Sequence, residues 1–279
     1  MGILIPAEDE LDFIDKLTKA TQKNDSLLCV GLDPDPELMP GGVGVFDFNK
    51  AIIDATADIV CAYKLNFAFY EVLEDEGLEA LKRTAKYIPD GIIAIGDAKR
   101  GDIANTAKAY AKSIFVNYEF DATTVNPYLG FDSIEPFLKY QDRGVFILCR
   151  TSNAGATDFQ SLNTESDGNS LPLYEIVARK VGQWNKYGNL GLVVGATYPE
   201  ELKTIRQNHP ELPLLIPGIG AQGGDLAPVV KYGADKQGER AIINSSRQII
   251  YASKGKDFAV AARRAATALR DQINAFRGK

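Results

Sequence analysis

A short charged run, Asp97-Ala98-Lys99-Arg100-Gly101-Asp102, interrupts an apolar stretch that begins at Ile92. Carboxylates and an ammonium group at this spacing could hold fixed charge against a developing anion or deliver a proton to it. If Ile92–Lys99 is a strand, alternation points Asp97 and Lys99 to the same side, with Cα atoms about 6.6 Å apart. Gly101 lets the chain turn before the next helix, and Asp102 follows it. A second lysine, Lys64, closes another apolar run, Ala62–Asn66. Lys64, Asp97, Lys99 and Asp102 are therefore candidates for one network of alternating charge. The same residues could instead be a buried ion-pair network that merely closes the fold, or a solvated rim. Burial costs several kcal/mol per ion before attraction offsets it. Selection for stability alone would more simply place aliphatic residues there.

A second group of residues suits an anion. The segment Pro217-Gly218-Ile219-Gly220-Ala221-Gln222-Gly223-Gly224 permits close backbone approach to a phosphate, with N–H groups turned toward it. Arg247 would add charge-assisted hydrogen bonds and Gln222 a further one; a plain turn is the alternative. Gly223-Gly224 and the segment beyond read as a flexible loop able to close over a ligand. His209, the only histidine, sits in Asn208-His209-Pro210 at a helix end and reads as surface structure. Histidine acid–base and metalloenzyme mechanisms thereby lose their usual residue. Cys29, Cys61 and Cys149 are far apart and lie in or beside apolar runs, as reduced buried thiols do, so neither a disulfide framework nor a zinc site is expected.

What must position these residues is an alternation of short β-rich runs and longer helical segments. Strands are expected at Leu27–Asp33, Ala62–Asn66, Ile92–Lys99, Ala122–Asn126, Val145–Arg150, Leu190–Thr197, Pro213–Gly218 and Ala241–Ser246. Helices are expected at Phe48–Val60, Tyr70–Lys86, Ile103–Glu119, Ser133–Tyr140, Leu171–Lys186, Pro199–Asn208, Leu226–Lys231 and Phe258–Phe276. The polar stretch 158–170 reads as a long loop. Eight β/α repeats with nearly continuous apolar strands imply an α/β protein, a single (β/α)8 TIM barrel over residues 1–279. In such a barrel, function gathers where strands end. Polar residues do gather there: Asp33, Lys64 with Asn66, Asp97 with Lys99, Asn126, Arg150 through Asn153, Gln222 and Arg247.

The 279 residues are 45% hydrophobic and 24% charged, ordinary for a globular protein with a full core. Against 37 Asp and Glu stand 31 Lys and Arg, a formal net charge of -6 that offers nucleic acid or anionic lipid no long-range attraction. Any anionic ligand must be held locally. No run approaches the length needed to cross a bilayer, and the N-terminus lacks a basic signal-peptide start, so a cytoplasmic location is expected, without membrane or nucleic-acid partners.

The run Asp97-Ala98-Lys99-Arg100-Gly101-Asp102-Ile103 resembles the Asp-x-Lys-x-x-Asp signature of orotidine 5′-phosphate decarboxylases. Related barrel decarboxylases and aldolases share that signature, but further matches follow in family order along nearly the whole chain. Gly31-Leu32-Asp33-Pro34 resembles the family's first-strand aspartate, Tyr63-Lys64-Leu65-Asn66 its second-strand lysine and Thr151-Ser152-Asn153 its base-reading loop. Pro217 through Gly224 and Asn244-Ser245-Ser246-Arg247 are similar to its phosphate-binding elements. The Thr-Ser-Asn sequence and the insert at 158–170 resemble the longer bacterial form.

The resemblance implies decarboxylation of orotidine 5′-monophosphate to uridine 5′-monophosphate and CO₂, the last step of de novo pyrimidine synthesis, without metal or organic cofactor. It makes Lys99 the residue that stabilises the C6 carbanion and protonates it, with Asp97 near the departing carboxylate and Lys64 and Asp102 holding the array. It places Asp33 and Lys64 on the ribose hydroxyls, Ser152 on the pyrimidine edge, Pro217, Gln222 and Arg247 at the phosphate, and Asn66 as an aid in orienting Lys64 or Asp97. It also implies a homodimer with active sites at the interface, where Asp102, Ile103 and Thr106 enter the partner's site. Two alternatives remain: a Mg²⁺-dependent sugar-phosphate decarboxylase or hexulose-phosphate synthase on the same barrel, and a non-catalytic nucleotide-binding barrel. The Mg²⁺ enzymes use a second-strand glutamate in the region where this chain has Lys64.

Overall fold

The computed structural model of the chain describes residues 11–166, 168–219 and 225–277. Its strands are β1 (Leu28–Gly31), β2 (Ala62–Asn66), β3 (Ile93–Arg100), β4 (Ala122–Val125), β5 (Gly144–Arg150), β6 (Asn163–Ser166), β7 (Asn169–Pro172), β8 (Leu190–Val194), β9 (Leu214–Pro217) and β10 (Ala241–Ser245). Eight of these close a parallel barrel in the order β1-β10-β9-β8-β5-β4-β3-β2. Closure is made where Cys29 of β1 pairs with Asn244 of β10. These eight are the strands read from the sequence, Ala62–Asn66 with the same bounds and the others shifted or trimmed by a few residues at their ends.

The sequence reading needs three amendments. The first is a helix ahead of the barrel, Phe13–Lys23, started by Asp12, whose side chain accepts from the Asp15 N–H. Its apolar face, Phe13, Leu17 and Ala20, packs on Cys29, Cys61, Ile93, Phe146 and Ile242 and seals the barrel's N-terminal mouth. Gly144 is needed beneath it, because a Cβ there would lie 2.4 Å from the Phe13 ring. The second concerns the loop 158–170, which contains an antiparallel hairpin of β6 and β7. Apart from Leu171 and Pro172 at the end of β7 its segments are polar, so no apolar alternation betrayed them. The third is that the predicted helix Tyr70–Lys86 is broken into Ala68–Glu71 and Glu74–Tyr87, with Glu74 at φ +53° between them.

The remaining large helices follow their strands as expected: Val45–Thr56, Ala104–Lys112, Phe131–Leu138, Leu173–Trp184, Pro199–Asn208, Leu226–Gly233 and Phe258–Phe276. They bury their apolar faces on the outside of the barrel, in one continuous core with the outward-facing strand residues. Among the described residues no helix is long and apolar enough to cross a membrane.

Candidate active site

The C-terminal mouth of the barrel opens into a cavity of about 490 Å³. On one wall a row of four charged side chains alternates in sign. Lys99 Nζ lies 2.6 Å from Asp97 Oδ1, Lys64 Nζ lies 3.0 Å from Asp97 Oδ2, and Lys64 reaches Asp33 Oδ1 at 3.8 Å. Asp97 and Lys64 are buried, whereas the Lys99 side chain is 48% exposed and faces the cavity. Strand alternation accounts for Asp97 and Lys99 meeting on one side. An irregularity between Gly96 and Arg100 then breaks the pairing of β3 with β4. There Lys99 adopts φ +47°, a left-handed conformation unusual for a side-chain-bearing residue. Its N–H donates to Thr124 Oγ1 at 3.0 Å, and the same hydroxyl donates to Asp97 Oδ1 at 2.8 Å. Thr124 thus fixes both ends of the catalytic candidate pair.

Burial pushes the Asp97 carboxyl upward, but the charges and hydrogen bonds of Lys64 and Lys99 outweigh it and hold Asp97 well below the usual carboxylate range. Burial would likewise lower Lys64, yet Asp33 and Asp97 raise its ammonium above the ordinary lysine value. Both groups are therefore charged across the neutral range. The depressed Asp97 contributes stability that is present above its unfolded value of about 4 and is lost as pH falls toward its folded value. The raised Lys64 contributes stability that is present below about 10.4 and is lost as pH rises through its folded value. Removing one partner of a buried pair typically costs about 3–5 kcal/mol. In urea unfolding at pH 7, Asp97→Asn should be less stable than wild type by about that amount. The gap should narrow below about pH 4, where the wild-type carboxylate is protonated on unfolding. A gap that stays constant from pH 7 to pH 3 would contradict this electrostatic account.

The other walls come from strands that the sequence also singled out. Ser152 follows β5, Pro217 ends β9, and Gly218 and Ile219 follow it; with Arg247 at the head of the short helix Arg247–Ile250 they line the cavity. Gly218 has φ +102°, which only glycine adopts without strain. No described carboxylate pairs with Arg247, whose side chain is exposed. In the ring order β9 is four strands from β3 in either direction, so Pro217 and Lys99 stand on opposite walls. By the same count β1 with Asp33 stands across from β5 with Ser152. A cleft with cationic, hydroxylic and anionic walls fits a small anionic ligand with a polar middle.

Not every expected residue lies here. Gln222, with Gly220 through Gly224, falls outside the described residues. Asp102 does not join the cluster of its own chain: the turn carries it past the strand end, where its Oδ1 accepts from the Ile103 N–H at 2.8 Å. Asp33 fills the fourth place in the row instead. Ile103 is 53% exposed and Thr106 is exposed, both outside the cavity. Asn66 lines the cavity, but its Oδ1 accepts from the Ala68 N–H rather than from Lys64. Asn126 turns away and accepts from the Tyr128 N–H.

Thr124 and Tyr251 are cavity residues that sequence reasoning missed. The Tyr251 hydroxyl donates to Asp33 O and accepts from the Asp35 N–H, so it ties down the loop that carries Asp33. Thr124 had a signal, a polar residue in phase with the inward side of its strand. Tyr251 had none, because an aromatic residue after a strand reads as core.

Residues 26–264 match the family described as orotidine 5′-phosphate decarboxylase / HUMPS. An orotidine 5′-phosphate decarboxylase of Dehalococcoides mccartyi (strain CBDB1) is 56% identical over 267 residues, covering 96% of this chain and 99% of that one. One from Ralstonia pickettii (strain 12J) is 51% identical over 274 residues, covering 95% and 99%. The solved structure of Leishmania donovani OMP decarboxylase superposes with a TM-score of 0.83 at 40% identity, over 96% of this chain and 100% of that one. Leishmania donovani UMP synthase gives 0.86 at 42% identity, over 96% of this chain but 57% of the longer one.

Proposed function

The chain belongs to the orotidine 5′-phosphate decarboxylase / HUMPS family, and from that premise we propose how its cavity converts orotidine 5′-monophosphate to uridine 5′-monophosphate. The activity is the decarboxylation that its relatives at 50–56% identity are named for. The observation that carries its assignment to this cavity is the alternating row Lys99–Asp97–Lys64–Asp33 on one wall, with Arg247 elsewhere in the same mouth.

Loss of CO₂ from C6 leaves an electron pair in the plane of the ring, where the π system cannot spread it. Lys99, protonated and placed beside C6, stabilises that developing charge. As the C6–CO₂ bond breaks with its electrons on C6, a proton from Lys99 Nζ forms the new C6–H bond. Lys99 then recovers a proton from solvent. Asp97 stays ionised beside the departing carboxylate, and Lys64 and Thr124 keep it from moving. Because this array is already organised before substrate arrives, little reorganisation is needed during the reaction. Asp33 and Lys64 take the ribose hydroxyls, Ser152 the pyrimidine edge, and Pro217, Gln222 and Arg247 the phosphate.

We assign the whole chain to one catalytic domain acting in the cytoplasm as a homodimer. The loops after β3 and β4 adjoin, with Gly101 packed on Asn126; the first exposes Ile103 and the second Tyr128, at 88%, and Leu129. These exposed apolar side chains support a partner subunit there, with Asp102, Ile103 and Thr106 reaching into its site. Mixing inactive Asp102→Ala and Lys99→Ala subunits should restore about one quarter of wild-type activity, since half the dimers are mixed and each has one complete site. Subunit exchange without recovered activity would count against sharing.

Among the described residues no group of three His, Cys, Asp or Glu is arranged to hold a metal ion, and Asp33 and Asp97 already face Lys64. An ultraviolet assay of orotidine 5′-monophosphate loss with and without EDTA tests the reading. Turnover that resists EDTA is expected. EDTA-sensitive turnover of a sugar phosphate would favour the Mg²⁺-dependent branch, and nucleotide binding without turnover a non-catalytic barrel.

A further inference from the structure

Behind the cavity wall, beneath Ser152, lies a buried cation that the mechanism does not use. Arg150, the last residue of β5, is 1% exposed and does not line the cavity. Its Nε donates to Glu201 at 2.5 Å, and its guanidinium stacks 3.9 Å from the ring centre of Tyr198. Both partners come from the segment after β8, and Glu201 lies in the first turn of the helix Pro199–Asn208. Burying a guanidinium costs several kcal/mol before its partners offset it, and a barrel strand beside Leu148 and Val193 needs no charge to close. The strand is also irregular here, its register with β8 shifting between Leu148 and Arg150.

The cation leads into the loop that carries Ser152. Arg150 Nη1 approaches Thr151 O and Gln160 Oε1, each at 3.4 Å. Gln160 then grips Thr151 twice: its Oε1 accepts from the Thr151 N–H and its Nε2 donates to Thr151 Oγ1, both at 2.8 Å. The Thr151 hydroxyl donates to Asn153 Oδ1 at 2.7 Å. Both neighbours of Ser152 are therefore fixed. From the other side Gly195 leaves room for Ser152 itself, since a Cβ there would lie 2.9 Å from Ser152 Cβ. A small hydroxyl discriminates between ligands only if its backbone cannot shift to follow the wrong one.

We propose that Gln160, anchored on the buried Arg150–Glu201–Tyr198 cluster, is a positioning residue that fixes Ser152 and thereby sets selectivity for the pyrimidine base. The inference rests on the reading that Ser152 meets the base edge. Neither Arg150 nor Gln160 touches the substrate. Their effect belongs to the base and not to the sugar phosphate.

Calorimetric binding of uridine 5′-monophosphate and of ribose 5-phosphate, which lacks the base, tests this in wild type, Ser152→Ala, Gln160→Ala and the double variant. Gln160→Ala is used because truncating a partly exposed side chain leaves the buried ion pair intact; Arg150→Lys, which keeps the charge but loses the fork, supplies a second perturbation with the same expected pattern. Gln160→Ala should weaken uridine monophosphate by roughly three- to tenfold, as loss of a hydrogen-bonded constraint does, and leave ribose 5-phosphate unchanged. In the Ser152→Ala background the further loss should disappear, because residues acting through one another are not additive. If Ser152→Ala itself does not weaken the nucleotide selectively, the base-edge reading falls and takes this inference with it. If Ser152→Ala is selective but Gln160→Ala is without effect, weakens both ligands equally, or adds in full, the inference alone is overturned.

Discussion

Replacing Lys99 by alanine is expected to lower kcat by about 10⁴- to 10⁷-fold, the product of losing a preorganised charge and a general acid, about 10²–10³ and 10²–10⁴ respectively. The fold should survive, because Lys99 is half exposed and Asp97 keeps both Lys64 and Thr124 when Lys99 is gone. Uridine monophosphate should still bind within about tenfold of wild type, a change of about 1.4 kcal/mol at most. Single-turnover measurement with saturating substrate separates the two effects, since it reads the chemical step after binding is complete. Turnover within about tenfold of wild type would remove Lys99 from the mechanism, whatever happened to binding. A matched loss of binding and rate would mean instead that the site had collapsed, and the melting temperature would show it.

Removing Arg247 should produce the second-largest effect, and one of a different kind. A hydrogen bond to a charged group is worth about 1.5–3 kcal/mol, so Arg247→Ala should reduce kcat/KM by about 10- to 150-fold. Added guanidinium ion should restore much of that loss, because the exposed position leaves open space for a small cation to enter from solvent. The phosphate-free nucleoside is the control. It should react far more slowly than the nucleotide with the wild-type enzyme, since remote binding energy is no longer available to organise the site. Its rate should be indifferent to Arg247. If the substitution slows the nucleoside and the nucleotide by the same factor, Arg247 acts on something other than phosphate.

The parts of the site that could be read from sequence are those fixed by strand alternation and by charge placed against an apolar background. Asp97 and Lys99 were legible because two residues apart on a strand means the same side, and Lys64 because a lysine inside Ala62–Asn66 has no place in a plain barrel strand. The membership of the charged row was harder. Asp102 shares the motif with Asp97, yet a turn of three residues carries it out of the cavity, while Asp33, 31 positions before Lys64 in the chain, reaches it from the loop after β1. Closeness along the sequence misleads wherever a strand ends. The helix Phe13–Lys23 shows the opposite failure: Phe13, Leu17 and Ala20 have helical spacing, but nothing local says that the helix caps a barrel mouth rather than preceding it. Gln160 is invisible to any such reading, since a glutamine in a polar insert acquires its role only from Thr151 being folded against it.

The alternating row has a consequence for how far its influence extends. Two ammonium groups and two carboxylates in line sum to no net charge, so the row is a multipole, whose potential dies away much faster with distance than that of a single ion. A ligand still in solvent scarcely feels it; a group lodged against the row meets its members individually, Lys99 and the adjoining Asp97 foremost. Recruitment and transformation are thereby assigned to separate hardware, and the catalytic wall can be strongly polar without becoming a sink for every passing anion.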